Sequence, residues 1–420
     1  MRFAYGNDEL SIDWRQARPD VIAYSSPPID DDRIDEALAQ ALREPIKCPP
    51  LSQVARDRKD AVILVSDLTR LCPTARMLPL ALDALNEGGI PDERIRVIVA
   101  LGTHRAQTER ELRRIGGAAF DRVQIMNHSC APEDCRYVGT TTLGTRIDIN
   151  RTVLDAELRV AIGNIEPHRL VGVSGGGKAL FPGVASAPSI EAHHALSRRY
   201  RSVPGFADNP LHREIDEAVA MAPIHFLFNV VADHRLRPLG VFAGELTEAH
   251  REGVRFARRQ FLVPVRRQYD VVVASAGGHP KDMQLYQAIK SLENAAGFAK
   301  PGGDVLLIAR CEEIYGNGVF QTWAETHVDR ERAVRELDEK YVLGAHKLRL
   351  LHRVTQRHNV YLRSDVPEPL ADLLGVRPVF DVQAWIDERT QPNRSIAAIP
   401  CAALTFPAPV RNSASLRNPV

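Results

Sequence analysis

The sequence has no marked excess of charge and no long apolar run. Its 54 Lys and Arg residues nearly balance 53 Asp and Glu residues, so the formal net charge is +1. This balance gives no global electrostatic reason to expect nucleic acid or an anionic membrane as a partner. The most apolar runs, 61–65 and 271–275, have the length of strands and are far too short for a membrane-spanning helix. We therefore expect neither a membrane protein nor a nucleic-acid-binding protein.

Paired cysteine motifs and an export signal are also missing. The six cysteines are scattered and include no C-x-x-C pair, so neither a disulfide framework nor a structural zinc site is indicated. The first ten residues, MRFAYGNDEL, are polar and acidic where a secretory signal needs an apolar stretch. We therefore expect a cytoplasmic protein.

What is present is the pattern of an α/β protein. Hydrophobic residues make up 44% of the chain and charged residues 25%, which is typical of a globular protein with a packed core. Short apolar runs alternate with amphipathic helical stretches, the pattern of βα units around a largely parallel sheet. A length of 420 residues exceeds what one core usually supports. The predicted fold is therefore two α/β domains with mostly parallel sheets.

A basic, proline-containing connector at 263–268 separates two series of predicted strands and helices. The predicted strands before it are residues 61–67, 95–102, 158–163 and 225–233. The elements predicted after it are a strand at 269–278, a helix from about 282 to 300 and a strand at 304–310. We predict an N-terminal domain over 1–265 and a C-terminal domain over 266–401, with the ligand site in a cleft between them. The last stretch, 402–420, is expected to pack back on the N-terminal domain or to fray.

Polar segments follow several of the predicted strands. Ligands of open α/β sheets gather at the carboxyl ends of the strands, and the segments found there are SDLTR (66–70), GTHRAQT (102–108), NIEPHRLVGVSGGGK (164–178) and GGHPKD (277–282). Each alone has a plain structural explanation: Asp67 caps a turn, or His104 is a hydrogen-bonded loop residue. Histidines on successive βα connections together favour a catalytic or metal site.

The glycine-rich segment GVSGGGK at 172–178 opens two other interpretations. Its spacing fits the G-x4-G-K pattern of a phosphate-binding loop at the start of a helix. The next residue is Ala179, which lacks the hydroxyl that nucleotide hydrolases use to hold magnesium. One alternative is thus a nucleotide- or phosphate-binding protein. Another is a zinc hydrolase with His104, His168 and His194 as metal ligands.

Several ordered motifs together resemble the nickel-dependent lactate racemase family. They are SDLTR, GTHRAQT, NHS, GNIEPHRLVGVSGGGKALFPGVAS with its trailing histidines, FNVVADHRLRPLGVFAGELTEAHREGV and GGHPKDMQLYQAIKSLENA. The resemblance implies an isomerase that racemises or epimerises a 2-hydroxy acid, either lactate or a larger acid. It also implies a nickel-pincer nucleotide cofactor, which separate biosynthetic enzymes supply.

In that family the cofactor is a pyridinium mononucleotide with two thio-acid arms that hold nickel. The resemblance implies that Lys178 tethers one arm as a thioamide. It also implies that His194 binds the nickel, with His193 as the alternative; sulfur and imidazole donors suit planar nickel(II). Three glycines precede the lysine, and we expect the nucleotide near them: Gly175, Gly176 and Gly177.

The resemblance also implies the acid/base and substrate-binding residues. His104 and His168 would handle the substrate's hydroxyl proton on opposite faces while the C2 hydride moves to and from the cofactor. Four further residues would bind or orient the substrate: Asp67, Arg70, Gln287 and Lys290. Departures from the family pattern at Leu71, Cys72 and Val173 bear on the shape of the pocket, and so on which 2-hydroxy acid fits.

Overall fold

The computed structural model describes residues 1–15, 17–24 and 27–409. The chain folds as two compact units. The first unit is Ser26–Arg259, and the second unit combines Met1–Ser25 with Gln260–Val420. Each unit contains a six-stranded, mostly parallel sheet, so the predicted α/β class is confirmed. No helix in the described part of the chain is both long and apolar enough to cross a membrane.

Short apolar runs form the strands of both units. In chain order the strands are β1 (Arg2–Tyr5), β2 (Asp8–Ser11), β3 (Asp20–Val21), β4 (Ala61–Val65), β5 (Ile95–Val99), β6 (Gln124–Asn127), β7 (Cys135–Thr140), β8 (Arg146–Asn150), β9 (Leu158–Asn164), β10 (Pro167–His168), β11 (Gly172–Val173), β12 (Phe226–Ala232), β13 (Pro238–Gly244), β14 (Leu262–Pro264), β15 (Tyr269–Ser275), β16 (Ala299–Ile308), β17 (Asn359–Arg363), β18 (Arg377–Pro378), β19 (Ile396–Ile399) and β20 (Phe406–Ala408). All five residues of β4 are buried, as expected of a strand covered on both faces.

Helices connect most of these strands. They are α1 (Ile34–Arg43), α2 (Leu51–Val54), α3 (Thr74–Glu87), α4 (Glu109–Gly116), α5 (Arg151–Asp155), α6 (Ala187–Ala195), α7 (Pro210–Met221), α8 (Leu246–Phe261), α9 (Leu285–Ala296), α10 (Gly318–Thr326), α11 (Arg330–Glu339), α12 (His346–Thr355), α13 (Glu368–Leu373) and α14 (Val382–Arg389). Ser186 caps α6 and Asn209 caps α7, each followed by proline in the first turn. These side chains satisfy backbone N–H groups that the helix leaves free.

The sheet of the first unit reverses its strand order at β4. The order is β13-β12-β9-β4-β5-β6, and all neighbours are parallel except the outer pair β12 and β13. Strands β5 and β6 therefore lie on one side of β4, and β9 and β12 lie on the other. The carboxyl ends of β9, β4 and β5 meet at one edge, which is where open α/β sheets bind ligands.

The sheet of the second unit has the order β18-β17-β16-β15-β19-β3, with every pair parallel. Helix α9 packs against β15 and β16. The antiparallel hairpin of β1 and β2 supplies Phe3 and Tyr5 to the same buried cluster as Val271 and Val273. The N-terminal segment is thus part of this unit's core.

This division differs from the predicted one at both ends of the chain. The N-terminal strand β3 pairs with β19, so the first residues belong to the second unit and not to the predicted N-terminal domain. In the predicted tail, β20 pairs with β14, and Asn294 donates to the carbonyl of Ala402 at 2.8 Å. Residues 402–409 therefore lie in the second unit, while 410–420 lie outside the described residues. Local sequence patterns do not reveal these pairings because the partners are far apart in the chain.

Two predicted elements of the second unit have different limits in the structure. The helix predicted to reach residue 300 ends at Ala296, where the backbone N–H of Gly297 closes its last turn. The following strand, predicted to start at residue 304, already begins at Ala299.

A buried carboxylate joins three segments of the second unit. Asp282 is fully buried, and its Oδ2 accepts hydrogen bonds from the backbone N–H of Gly6 at 2.7 Å and of Arg310 at 3.1 Å. The hairpin turn and the loop after β16 are therefore both attached to the segment that precedes α9. A buried N–H without an acceptor costs free energy, so these bonds constrain the whole arrangement.

We predict that Asp282→Ala lowers the free energy of unfolding of the second unit by about 3 kcal/mol, because two partly buried backbone N–H groups lose their carboxylate acceptor. Asp282→Asn should cost much less, since the amide oxygen can still accept both bonds. Thermal or urea unfolding measures the difference, with Asp8→Asn on the exposed hairpin as the control. Equal losses for Ala and Asn would contradict this account of the carboxylate.

Candidate active site

An aspartate–histidine pair lies beyond the carboxyl ends of β4 and β5. Asp67 is 3% exposed, and His104 donates from Nδ1 to Asp67 Oδ2 at 3.0 Å. The backbone N–H of Thr69 donates to the other carboxylate oxygen at 2.7 Å. Because Nδ1 carries the proton, Nε2 of the neutral ring has a free lone pair. The pair therefore presents His104 Nε2 as a proton acceptor, as in enzymes where an aspartate orients a general base.

Asp67 remains ionised although it is buried. Burial alone would raise the pKa of Asp67, but the charges of His104 and Arg70, with the hydrogen bonds from His104 and Thr69, hold it well below its usual range. The Nε of Arg70 lies 3.7 Å from Asp67 Oδ2. The carboxylate can therefore stabilise a positive charge on His104, and it also orients the arginine.

His168 is held as the opposite tautomer. It lies in β10, which pairs with β11 beside the end of β9. The backbone N–H groups of Leu170 and Val171 donate to His168 Nδ1 at 3.2 and 3.3 Å. Since Nδ1 accepts, the ring proton of the neutral form is on Nε2. In the neutral rings, Nε2 of His168 therefore carries the proton, whereas Nε2 of His104 carries the lone pair.

The glycine-rich turn before Lys178 has a backbone that only glycine adopts easily. Gly175 and Gly176 have φ values of +75° and +57°, which lie in the left-handed region. A Cβ on Gly177 would lie 2.6 Å from a methyl of Val219. The turn is therefore sharply bent, and Val219 packs closely against it.

The same turn lacks the helix that a phosphate-binding loop requires. Lys178 lies in a four-residue 3-10 turn, Gly176–Ala179, and the next α-helix starts at Ala187. The N–H of Gly176 donates to Asn229 Oδ1 at 2.9 Å, so a phosphate would have to compete with that amide. The predicted loop at a helix start is wrong at this point, which weakens the phosphate-binding alternative.

Helix α6 carries the two adjacent histidines predicted to lie near the cofactor. His194 is partly buried and donates from Nδ1 to the carbonyl of Ile190 at 2.8 Å. His193 is fully buried and bonds through Nδ1 to Glu214 at 2.9 Å. The Nδ1 atom is engaged in both rings, and an Nδ1–H bonded to a carbonyl or carboxylate is the usual support of a metal-binding histidine; the two rings differ in that only His194 is partly exposed.

His194 shares its surroundings with the other predicted site residues. Burial, followed by the neighbouring His193, Lys178 and His104, lowers the pKa of His194 to about 3. The first unit therefore brings the predicted tether, the predicted nickel ligand and one predicted acid/base residue together. At neutral pH the His194 ring is uncharged, which is the form that binds a metal.

Sequence reasoning missed a group of polar residues that support the glycine-rich turn. Asn209 Nδ2 and His212 Nδ1 donate to the carbonyl of Val171 at 3.1 and 3.2 Å. His250 Nε2 donates to the carbonyl of Ser174 at 2.9 Å, and its ring stacks on His212 at 5.8 Å. The sequence contained one indication for His212. This residue follows an apolar residue in a segment with the pattern of an amphipathic helix, and the structure buries that face of the helix.

The two predicted substrate residues of the second unit lie together on α9. Gln287 is 6% exposed, and Lys290 Nζ donates to Gln287 Oε1 at 2.7 Å. The i, i+3 spacing therefore places them on one helix face, as predicted. Their role in binding substrate stays a prediction.

A ready-made multi-ligand metal site is missing from the described residues. Within 1–15, 17–24 and 27–409, no group of three or more His, Cys, Asp or Glu side chains is placed to hold a metal ion. His104, His168 and His194 are thus not gathered as three ligands of one ion, which the zinc-hydrolase alternative requires.

The fold and the site define an α/β protein with hydrogen-bonded histidines beyond the carboxyl ends of parallel strands. Two family models match the chain: the lactate racemase N-terminal domain over residues 5–203 and the lactate racemase C-terminal domain over residues 265–388. The protein belongs to the lactate racemase family, which confirms the resemblance seen in the motifs.

Similar proteins with curated names are isomerases of the racemase type. A lactate racemase from Thermoanaerobacterium thermosaccharolyticum is 29% identical over 340 residues, which is 79% of either chain. A lactate racemase from Lactiplantibacillus plantarum is 29% identical over 343 residues, or 80% of either chain. These relatives support an isomerase that acts as a racemase.

Solved structures agree with the fold. The lactate racemase apoprotein from T. thermosaccharolyticum superposes with a TM-score of 0.84 at 26% identity, covering 97% of this chain and 99% of the other. A Thermotoga maritima protein gives a TM-score of 0.69 at 20% identity, with 91% and 99% of the two chains covered. The second likeness concerns the fold alone.

We predict that His250 makes the first unit sensitive to acid. Burial and the nearby His212 lower the pKa of His250 from 6.5 to about 4, so the unfolded chain takes up the proton first and stability falls as the pH drops between these values. His250→Gln keeps an N–H for Ser174 but cannot titrate. Between about pH 7 and about pH 5 the variant should lose about 2 kcal/mol less stability than wild type. Urea unfolding at both pH values measures this, with His352→Gln in the second unit as control; equal acid losses would refute it.

Proposed function

We propose that the protein racemises or epimerises a 2-hydroxy acid, lactate or a larger acid, with a nickel-pincer nucleotide bound covalently at Lys178. The observation that carries this proposal is the pair of opposite tautomers: His104 offers a lone pair at Nε2, and His168 offers a proton there. Inversion at C2 through a planar 2-oxo acid needs a group that takes the hydroxyl proton and a donor for the oxygen. Family membership supports the same reaction.

The residues around Lys178 fit the cofactor of this family. His194 keeps Nε2 free because its Nδ1–H is bonded to the carbonyl of Ile190, and burial keeps the ring neutral. A neutral imidazole is a suitable fourth donor for planar nickel(II) that already has sulfur donors. Lys178 would form the thioamide with one arm, and the glycines Gly175, Gly176 and Gly177 would lie near the nucleotide. When bound, the group supplies a reversible acceptor for the C2 hydrogen as hydride.

The chain's own residues would handle the proton and the carboxylate. His104 Nε2 takes the proton from the substrate hydroxyl as the C2 hydride leaves, and the product of this step is the planar 2-oxo acid. Asp67 stabilises the positive charge that forms on His104. Arg70, which Asp67 orients, binds the substrate carboxylate or the developing carbonyl with its planar fork. Return of a hydride to the other face and of a proton to the oxygen completes the inversion.

His168 would have a different role in each of the two directions of the racemisation reaction. In the direction that His104 starts, His168, whose Nδ1 accepts from the backbone N–H groups of Leu170 and Val171, would donate a hydrogen bond from Nε2–H to the substrate oxygen. In the opposite direction His168 would accept the hydroxyl proton at Nε2 as the other neutral tautomer, with its ring proton on Nδ1, so the hydrogen bonds from Leu170 and Val171 would have to break first. Both histidines are therefore required, while Gln287 and Lys290 remain the proposed substrate ligands of the second unit.

We predict that His104→Ala and His168→Ala each abolish interconversion of the enantiomers while the adduct on Lys178 remains. Asp67→Asn should lower kcat about 10²- to 10⁴-fold, because an amide does not hold His104 in the required tautomer. Chiral chromatography of enantiopure 2-hydroxy acids measures the rates, with His358→Ala on the second unit as control. Retained activity in either histidine variant would remove that residue from the acid/base pair.

We predict a covalent adduct on Lys178 in protein produced together with the cofactor's biosynthetic enzymes. The intact mass should exceed the 46.6 kDa of the polypeptide, and elemental analysis should find nickel. Lys178→Ala should lose the adduct, whereas Lys59→Ala, an exposed lysine, should keep it. Zinc without an adduct would favour the hydrolase, and nickel with activity in Lys178→Ala would show noncovalent use of the cofactor.

A further inference from the structure

A histidine–glutamate pair is buried directly beside the proposed nickel ligand. The side chains of His193 and Glu214 are both fully buried, with Nδ1 and Oε2 2.9 Å apart. The hydroxyl of Thr141 donates to the other carboxylate oxygen of Glu214. The pair therefore joins α6 to α7 and to the turn between β7 and β8. None of the proton or hydride steps above uses either residue.

Burying a polar pair in the core is energetically unfavourable compared with burying apolar side chains. The Nε2 atom of His193 is buried and has no hydrogen-bond partner among the described residues, and the His193 ring packs against Phe181, with 4.9 Å between centroids. Well-packed apolar residues of similar size can often replace a buried ion pair without loss of stability, and an unpartnered buried nitrogen is itself unfavourable. Stability alone therefore does not account for His193 and Glu214.

Helix α7 contacts both the segment that leads to the proposed tether, Lys178, and the helix that carries the proposed nickel ligand, His194. Near its start, Asn209 and His212 hold the carbonyl of Val171, in the segment that leads to Lys178. Less than a turn further along, Glu214 holds His193, the neighbour of His194. Because one helix fixes both segments, it sets the distance between the lysine tether and the imidazole that would bind nickel.

We propose that His193 and Glu214 are positioning residues that hold α6 so that His194 presents Nε2 to the nickel. This inference rests on the proposed function. His193 itself is too buried to reach a bound group without a change in the fold, and its Nδ1 is engaged by Glu214. Partners behind a metal-binding residue affect metal affinity strongly, because a small rotation of the ligand misplaces its lone pair.

The test measures nickel per covalent adduct in protein produced with the cofactor's biosynthetic enzymes. Intact mass gives the adduct on Lys178, and elemental analysis after dialysis gives the nickel. The double variant His193→Phe/Glu214→Leu should keep the adduct and the thermal midpoint but retain about 10-fold less nickel per adduct. His193→Asn should restore the wild-type ratio, since its amide N–H can replace Nδ1–H towards Glu214. Arg213→Gln, on the exposed side of the same helix, is the matched control.

Each outcome separates the proposed roles. A merely structural role would lower the thermal midpoint, the adduct and the nickel together, and an unchanged nickel ratio in the double variant would overturn the inference. If the double variant does not fold, Glu214→Gln takes its place and should lower the ratio about threefold through a weaker, uncharged hydrogen bond. Loss of nickel in His193→Asn but not in His194→Asn would make His193 the ligand and also overturn it. Wild-type protein without adduct and nickel would instead overturn the proposed function, and this inference with it.

Discussion

The proposed chemistry depends on one hydrogen bond, from Nδ1 of His104 to the buried carboxylate of Asp67. It fixes which nitrogen of the histidine can accept a proton, and it places a negative charge where a positive one would develop. The bond exists because β4 and β5 are adjacent and parallel, so that the residues after them meet at the same edge. Packing of two apolar strands, Ala61–Val65 and Ile95–Val99, therefore decides which nitrogen of a histidine outside the sheet faces Asp67.

Burial keeps three histidines of the first unit neutral near pH 7. His194, His212 and His250 all have lowered pKa values, with desolvation as the largest cause. Neutral rings have one donor and one acceptor nitrogen, so each hydrogen bond to a carbonyl leaves a defined lone pair elsewhere. The free energy of unfolding therefore falls at low pH, because the unfolded chain binds protons at these histidines at pH values where the folded chain does not. Function and acid sensitivity thus have the same physical origin.

The second unit shows that chain order and spatial order differ. Strands β1 to β3 come first in the sequence but complete a sheet made from the C-terminal part of the chain. Asp282 then holds the turn of that N-terminal hairpin beside the segment that leads into α9, which carries Gln287 and Lys290. The position of α9 therefore depends on the first residues of the protein.

The sequence by itself determined the α/β class, most central strands, the family and a set of candidate residues. These follow from local periodicity and from motifs whose residues are close in the chain, such as SDLTR and SGGGK. Only the tertiary structure decided the tautomer of His104, the support of the glycine-rich turn by His212 and His250, and the unit to which the N-terminus belongs. Each of these depends on which distant segment lies beside a given atom, and a hydrogen-bond partner tens or hundreds of residues away leaves no trace in local pattern.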